Sequence, residues 1–184
     1  MADNKEMSNA RHSDVAYVLA KLRIRGVDHL LLHAHPKWGD WSLVGGHVEP
    51  TDADWYSAAI RETEEELTPL QLGRDVDVEP LAVPQSEWGP VPSMSAGGAP
   101  TRYRARWYVL RFRADPESLL ARLPKDQFML LPLASLDQFF PLSSLVKRAN
   151  SLLNGWHNLP LSWDADLAEP PLPAVTDERL SLAP

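Results

Sequence analysis

The sequence predicts an α+β fold, a mixed β-sheet flanked by helices, on three observations. Helical and strand patterns interleave along the chain without a regular βαβ rhythm. From Arg102 to Arg113, Tyr103, Ala105, Trp107, Val109 and Arg111 alternate with Arg104, Arg106, Tyr108, Leu110 and Phe112, the pattern of a long strand. Trp55, Ala59, Thr63 and Leu67 recur at every fourth position, which gives a helix one face to lay against a sheet.

Each element has its own local reason. Residues 1–12 are polar and charged, a flexible lead-in without the apolar core of a signal segment. Val15 to Ile24 is apolar enough for a strand, and Arg25-Gly26-Val27-Asp28 turns the chain into a second strand, His29 to His33. A loop, His35 to Asp40, leads to a short strand from Trp41 to Val44, which ends on the pair Gly45-Gly46. The helix begins near Asp54, with Asp52 or Asp54 as its cap, and Pro69 ends it because a residue before proline avoids the α region. Val76 to Val83 reads as a strand, and Pro84 to Pro100 as a loop rich in proline, glycine and serine. After the long strand come a short helix from Pro116 to Leu123, a strand from Gln127 to Leu131, a helical turn from Leu133 to Phe139 and a helix from Ser143 to Leu153. Beyond Gly155 the periodicity fades and proline recurs at 160, 170, 171 and 173. One domain over 13–154, followed by a proline-rich extension over 155–184, accounts for the length.

Composition narrows the function. There is no cysteine, so disulfides, thiolate zinc sites and cysteine nucleophiles are excluded, and a cytoplasmic address is expected. No run of about 18 apolar residues exists to span a membrane. A formal charge of −7 argues against a protein that wraps extended nucleic acid, where a basic surface supplies the affinity.

The segment from Gly45 to Leu67 carries the chemistry. A glycine pair ends an apolar strand, an acidic loop follows, and the helix presents Arg61, Glu62, Glu65 and Glu66. Residues three and four apart share a helix face, so Glu62, Glu65 and Glu66 converge, with Arg61 one turn before Glu65. A bare acidic run is ordinarily a solvated helix face. Here no lysine lies between Thr51 and Thr68 to balance the carboxylates, which repel one another and call for a cation. Clustered hard oxygens suit Mg²⁺ or Mn²⁺, and such ions suit phosphates.

These residues resemble the Nudix box of the Nudix hydrolase superfamily. Gly46 matches its opening glycine, Arg61-Glu62 its Arg-Glu pair, and Glu65-Glu66 its closing acidic pair. Asp52 stands at the position of the first glutamate, the interval from Asp52 to Arg61 is one residue longer than the pattern, Thr63 replaces an aliphatic residue, and Thr68 replaces the closing glycine. The resemblance implies an α/β/α sandwich and metal-dependent hydrolysis of a diphosphate bond in a nucleoside diphosphate linked to another moiety. It implies Mg²⁺ or Mn²⁺ as cofactor, with Glu65 and Glu66 as the main ligands, Glu62 assisting and Gly46 offering a carbonyl. Arg61 orients a box carboxylate. A small nucleotide-type substrate and a homodimer belong to the same expectation. The rival reading is a Nudix-like nucleotide-binding or sensor domain without turnover, motivated by the loop insertion and Thr68. Outside the box, Trp38 and Trp88 are candidates to stack a base, Arg102 and Arg104 to grip phosphates, and Asp52 and Glu87 to act as a further acid, base or ligand.

Overall fold

The computed structural model describes residues 10–163. Among the described residues nine strands and three α-helices run in the order β1 (Arg11–Leu19), β2 (Lys21–Ile24), β3 (Val27–Ala34), β4 (Trp41–Ser42), β5 (Val44–His47), α1 (Trp55–Glu66), β6 (Val76–Pro80), β7 (Ser86–Ser93), β8 (Ala99–Phe112), α2 (Pro116–Leu120), β9 (Phe128–Pro132) and α3 (Ser144–Leu152). They form two sheets. The first has the order β5-β1-β8-β6, with β7 also on β8; the second has the order β2-β3-β4, with β9 on β3. Among the described strand pairs only β1 and β8 run parallel, so the first sheet is mixed as the sequence predicts.

Side-chain alternation along β1 and β8 sorts the core into two halves. Ala16, Val18, Tyr108 and Leu110 point to one face, where α1 lays Ala58, Ala59 and Leu67. Val15, Leu19, Ala105 and Trp107 point to the other, where they meet Leu30 and Leu32 of β3 and Val146 and Ala149 of α3. Of the expected α1 face, Ala59, Thr63 and Leu67 are fully buried, and Trp55 is partly so.

Several expectations change. The predicted strand over Val15–Ile24 breaks at Ala20, so its halves serve different sheets. β1 starts at Arg11, inside the stretch read as a lead-in. The proline-rich loop over 84–100 contains β7, an edge strand paired with β8 and interrupted by a bulge between Trp88 and Val91. An edge strand tolerates proline because one row of its amides has no ladder partner to lose. β6 is shorter than expected and ends at Pro80.

The start of the C-terminal extension packs against the domain. Trp156 and Leu159 are buried. Lys21 Nζ donates to the carbonyls of Trp156 and His157 at 3.3 and 3.2 Å, and Ser162 N donates to Lys21 O at 2.7 Å. The prolines at 170, 171 and 173 lie outside the described residues.

Candidate active site

Gly45 and Gly46 do not end the strand, as the sequence suggests, but lie within β5, paired with Tyr17 and Ala16 of β1 and facing α1, and each glycine is required for a different reason. Gly45 has φ +124°, and a Cβ there would sit 2.2 Å from Ala16 O, so no side chain fits against β1. At Gly46 a Cβ would meet Glu62 Oε1 at 2.5 Å. The first glycine lets two strands close; the second makes room for a carboxylate. Glu66 reaches the same pair, its Oε2 accepting from Gly45 N at 3.0 Å. Glu62 and Glu66 thus converge there, one helical turn apart.

Arg61 organises the approach. Its Nε and Nη2 bond both oxygens of Asp52, each at 3.1 Å, and Nη2 also donates to His47 O at 2.9 Å. Nη1 donates to Glu62 Oε1 at 3.0 Å and reaches Glu65 Oε2 at 3.5 Å. Asp52 is held below the usual carboxylate range, first by the Arg61 hydrogen bond and then by the backbone N–H of Glu49. The extra loop residue is absorbed before the helix begins. Asp54 caps α1 by accepting from Ser57 N at 2.8 Å, which leaves Asp52 free for Arg61. Thr68 in place of glycine is equally well accommodated: Leu67 is the C-cap, and Thr68 Oγ1 donates to Glu64 O at 2.9 Å.

The three glutamates differ in their surroundings. The Glu65 side chain is 59% exposed, on the outer side of Arg61, whereas that of Glu62 is 13% exposed. Burial, then the neighbouring Glu66, push the Glu62 carboxyl up to about 7, against the opposing pull of Arg61. Among the described residues, no group of three or more His, Asp or Glu side chains closes into a ready-made metal cage. The donor set nevertheless fits Mg²⁺, an ion usually held by one or two carboxylates, retained waters and the substrate's own phosphates. Crowded carboxyl oxygens that resist ionising together are what a divalent cation relieves.

Residues outside the box fall into two groups by strand face. Trp88 stacks on Tyr103, with ring centroids 5.1 Å apart and planes at 15°, and Tyr103 lies 6.3 Å from His47. Tyr17, on the same face, pairs with Gly45 in the ladder. Its hydroxyl is pushed up by burial, then by Tyr103, Glu62 and Glu66. An aromatic row therefore leads from the glycine pair towards Trp88. On the opposite face Arg104 is bound by Asp14 through two hydrogen bonds of 2.7 Å, and Glu87 lies across from it, its Oε1 accepting from Gln85. Arg102 is partly buried in β8, two residues from Arg104. Trp38 stays within its own loop, 5.8 Å from His35 and beneath Lys37 Nζ.

Sequence reasoning passed over three residues. His33, buried on β3 and stacked on Phe128, places Nδ1 3.5 Å from Glu66 Oε1. His47 bonds Ser13 Oγ at 2.8 Å and Ser95 Oγ at 3.1 Å, linking the glycine pair to the segment after β7. Its imidazole is held below its ordinary range, first by burial and then by Arg11. Tyr17 is the third. Alternation along β1 and β5 was the one available signal for Tyr17 and His47; His33 needed the pairing of the second sheet.

The fold and this loop-helix arrangement define a class. A family model described as the NUDIX domain matches residues 14–158, and the chain belongs to the Nudix family. No curated protein matches the sequence. Among solved structures, the E. coli dihydroneopterin triphosphate pyrophosphohydrolase is similar at 17% identity and a TM-score of 0.54, over 77% of this chain and 96% of that one. Shewanella oneidensis NrtR is similar at 19% identity and a TM-score of 0.50, over 77% of this chain and 63% of that one. A C. elegans Ap4A hydrolase aligns at 19% identity and a TM-score of 0.49, over 77% and 98%. With the family match, the first two of these likenesses show an α/β/α Nudix fold. Among the described residues no helix is long and apolar enough to cross a membrane.

Proposed function

We propose that this protein is a metal-dependent hydrolase that cleaves the diphosphate bond of a nucleoside diphosphate linked to another moiety. The observation that carries this reading is the meeting of Glu62 and Glu66 at the Gly45-Gly46 pair of β5, with more carboxylates than Arg61 can neutralise. Glu62 and Glu66, with the Gly46 carbonyl, are the residues proposed to hold Mg²⁺ or Mn²⁺, and Glu65 stands at the solvent side to complete the set. A bound divalent cation supplies phosphate charge neutralisation and a water acidic enough to attack phosphorus.

The chain's own residues orient and shape. Asp52 fixes the Arg61 guanidinium, whose rigid fork sets the rotamers of Glu62 and Glu65. Gly45 N fixes Glu66. The absent side chain at Gly46 keeps the space over Glu62 open to a phosphate. The stacked Trp88–Tyr103 pair supports a role in receiving an aromatic base, because every base has a face to stack. Arg102, Arg104 and Glu87 lie on the other side of β8 and are proposed to act at the rim.

The test is a substrate panel with purified protein and Mg²⁺ or Mn²⁺: nucleoside triphosphates, ADP-ribose, dinucleoside polyphosphates, nucleotide sugars, NADH and coenzyme A, with products resolved by mass and Glu66→Gln as control. Metal-dependent cleavage lost in the variant supports the proposal. Nucleotide binding without product, across the panel and with either metal, overturns it in favour of a sensor domain.

A further inference from the structure

The second sheet has an edge on which the end of the described chain starts to pair. Through one side, β2 joins β3. On its other side Leu22 forms a parallel bridge with Trp163, Lys21 N donates to Ser162 Oγ at 3.1 Å, and Ser162 N donates to Lys21 O at 2.7 Å. Ser162 O in turn accepts from Phe112 N at 3.2 Å, so this segment spans from the end of β8 to β2 and ties the first sheet to the second. Past the bridge, β2 runs on to Ile24.

Beside this edge lies a groove of about 450 Å³, lined by Leu22 and Ile24 of β2, Pro116 and Leu120 of α2, Leu130 of β9, and Trp163. The apolar face of the hairpin runs further than its cover: Ile24 and its ladder partner Val27 are 40% and 47% exposed. The opposite face of β2 is basic. There Lys21 Nζ lies 3.5 Å and Arg23 Nε 2.7 Å from the carboxylate of Asp28, which serves both.

Beyond the described residues the sequence continues Asp164-Ala165-Asp166-Leu167, and with Trp163 it alternates apolar and acidic residues at the period of a strand. The Leu22–Trp163 bridge sets the register for such a strand. Residues paired across a ladder share a face. Counting on from the bridge, Asp164 aligns with Arg23 on the basic face and Ala165 with Ile24 on the groove face, where Leu167 follows. A shift by one residue would turn both aspartates into the apolar groove.

We propose that this edge of β2 and its groove are a strand-docking site, and that the occupant is the chain's own segment 164–167. Backbone groups of alternate residues face the same edge of a strand, so Arg23 follows Lys21 there, and its carbonyl accepts from Ala165 N as the next rung. Leu167 covers the end of the groove beyond Ile24, and Asp164 adds a carboxylate to the face of Lys21 and Arg23. An edge strand left bare is a template for another chain, and the docked segment blunts it. The inference does not depend on the proposed hydrolysis.

The chain has no cysteine, so an introduced pair reports on one contact. Ile24→Cys is combined in the full chain with Ala165→Cys, or with Ala174→Cys as a control for tethering alone. Both proteins are oxidised at low concentration, and the products are separated on a non-reducing gel and weighed by mass spectrometry. Aligned positions hold their Cα atoms within the span of about 4.4–6.8 Å that a disulfide needs. The link within one molecule should form roughly tenfold faster at 165 than at 174, where only tethering raises the local concentration. Equal rates or no link overturn the proposal, and so does a link between two molecules, which would put a second copy on the edge. In the unaltered chain, the Ala165 N–H should exchange with deuterium roughly tenfold more slowly than an unstructured amide, whatever the protein concentration. Exchange at the unstructured rate, or protection that grows with concentration, overturns the proposal.

Discussion

Two places in this molecule bring arginine and acidic residues together, and they are balanced in opposite ways. At Asp75, which is buried after α1, a single carboxylate receives Arg122 at 3.0 Å, Arg74 at 3.9 Å and the backbone N–H of Gln71 at 3.0 Å. At the glycine pair, Arg61 alone faces Asp52, Glu62 and Glu65, with Glu66 beside them. The first cluster is complete as it stands. The second is short of positive charge, and one of its half-buried members, Glu62, resists ionising. A structural ion pair satisfies itself, whereas a site leaves a demand that something bound must meet.

The largest effect that would sharpen this contrast is on turnover. Glu66→Gln keeps the acceptor for Gly45 N and removes a charge that lies outside the ion pairs of Arg61. It is expected to lower kcat on the order of a thousandfold, about 4 kcal/mol of barrier, while the Tm measured with a chelator present stays level or rises. A Tm that falls as far as activity would mean that Glu66 is held for stability, and the contrast would fail.

The two glycines separate next, within one strand. Gly46→Ala drives a methyl into the Glu62 carboxylate, which can swing aside, so activity and Mn²⁺ affinity should fall roughly a hundredfold with little loss of stability. Gly45→Ala drives a methyl into the backbone of β1 and is expected to cost on the order of 3 kcal/mol of folding free energy in urea unfolding. Equal stability losses in both would show that the pair responds as one rigid piece. At the balanced cluster, Asp75→Asn should lower Tm by about 5 °C and leave kcat and metal affinity untouched.

The same contrast explains what the sequence made legible. The acidic face could be read because helical spacing alone brings Glu62 and Glu66 together and the glycine pair marks the place they reach. The long strand β8 could be read from its alternation. Strand β7 could not, since Pro90, Pro92 and a bulge erase a pattern that depends only on pairing with Tyr103 and its neighbours. Asp75 went unremarked because its partner Arg122 is 47 residues later in the chain (122 − 75), and no local spacing announces such a pair. Trp55 was read as packing, which its ring does; that its buried nitrogen has no hydrogen-bond partner is visible only in the folded chain.

The smallest expected effect is the slope of stability with pH, and there Asp75 and Glu62 should pull in opposite directions. Asp75 is held below its ordinary 3.8, first by the Arg122 hydrogen bond and then by the Gln71 N–H. A depressed carboxylate contributes its stability above the unfolded value and loses it as pH falls through the folded one, so Asp75 weakens the fold only in strong acid. Glu62 is raised from 4.5 to about 7. The folded state then binds its proton more tightly than the unfolded chain does, and stability declines as pH rises from about 4.5 to about 7. In chelated protein, urea titrations from pH 3 to 8 should therefore show both limbs. Asp75→Asn reduces the acid limb, which Asp28, Asp52, Asp54 and Asp115 share, without touching the neutral one, and Glu62→Gln flattens the neutral limb alone. Adding Mg²⁺ should lift the neutral limb of the unaltered chain and leave the acid limb where it was, because only the cluster short of positive charge gains from a cation. A neutral limb that persists in Glu62→Gln would remove the surplus charge from Glu62, and with it the physical reason for placing a metal beside this glycine pair.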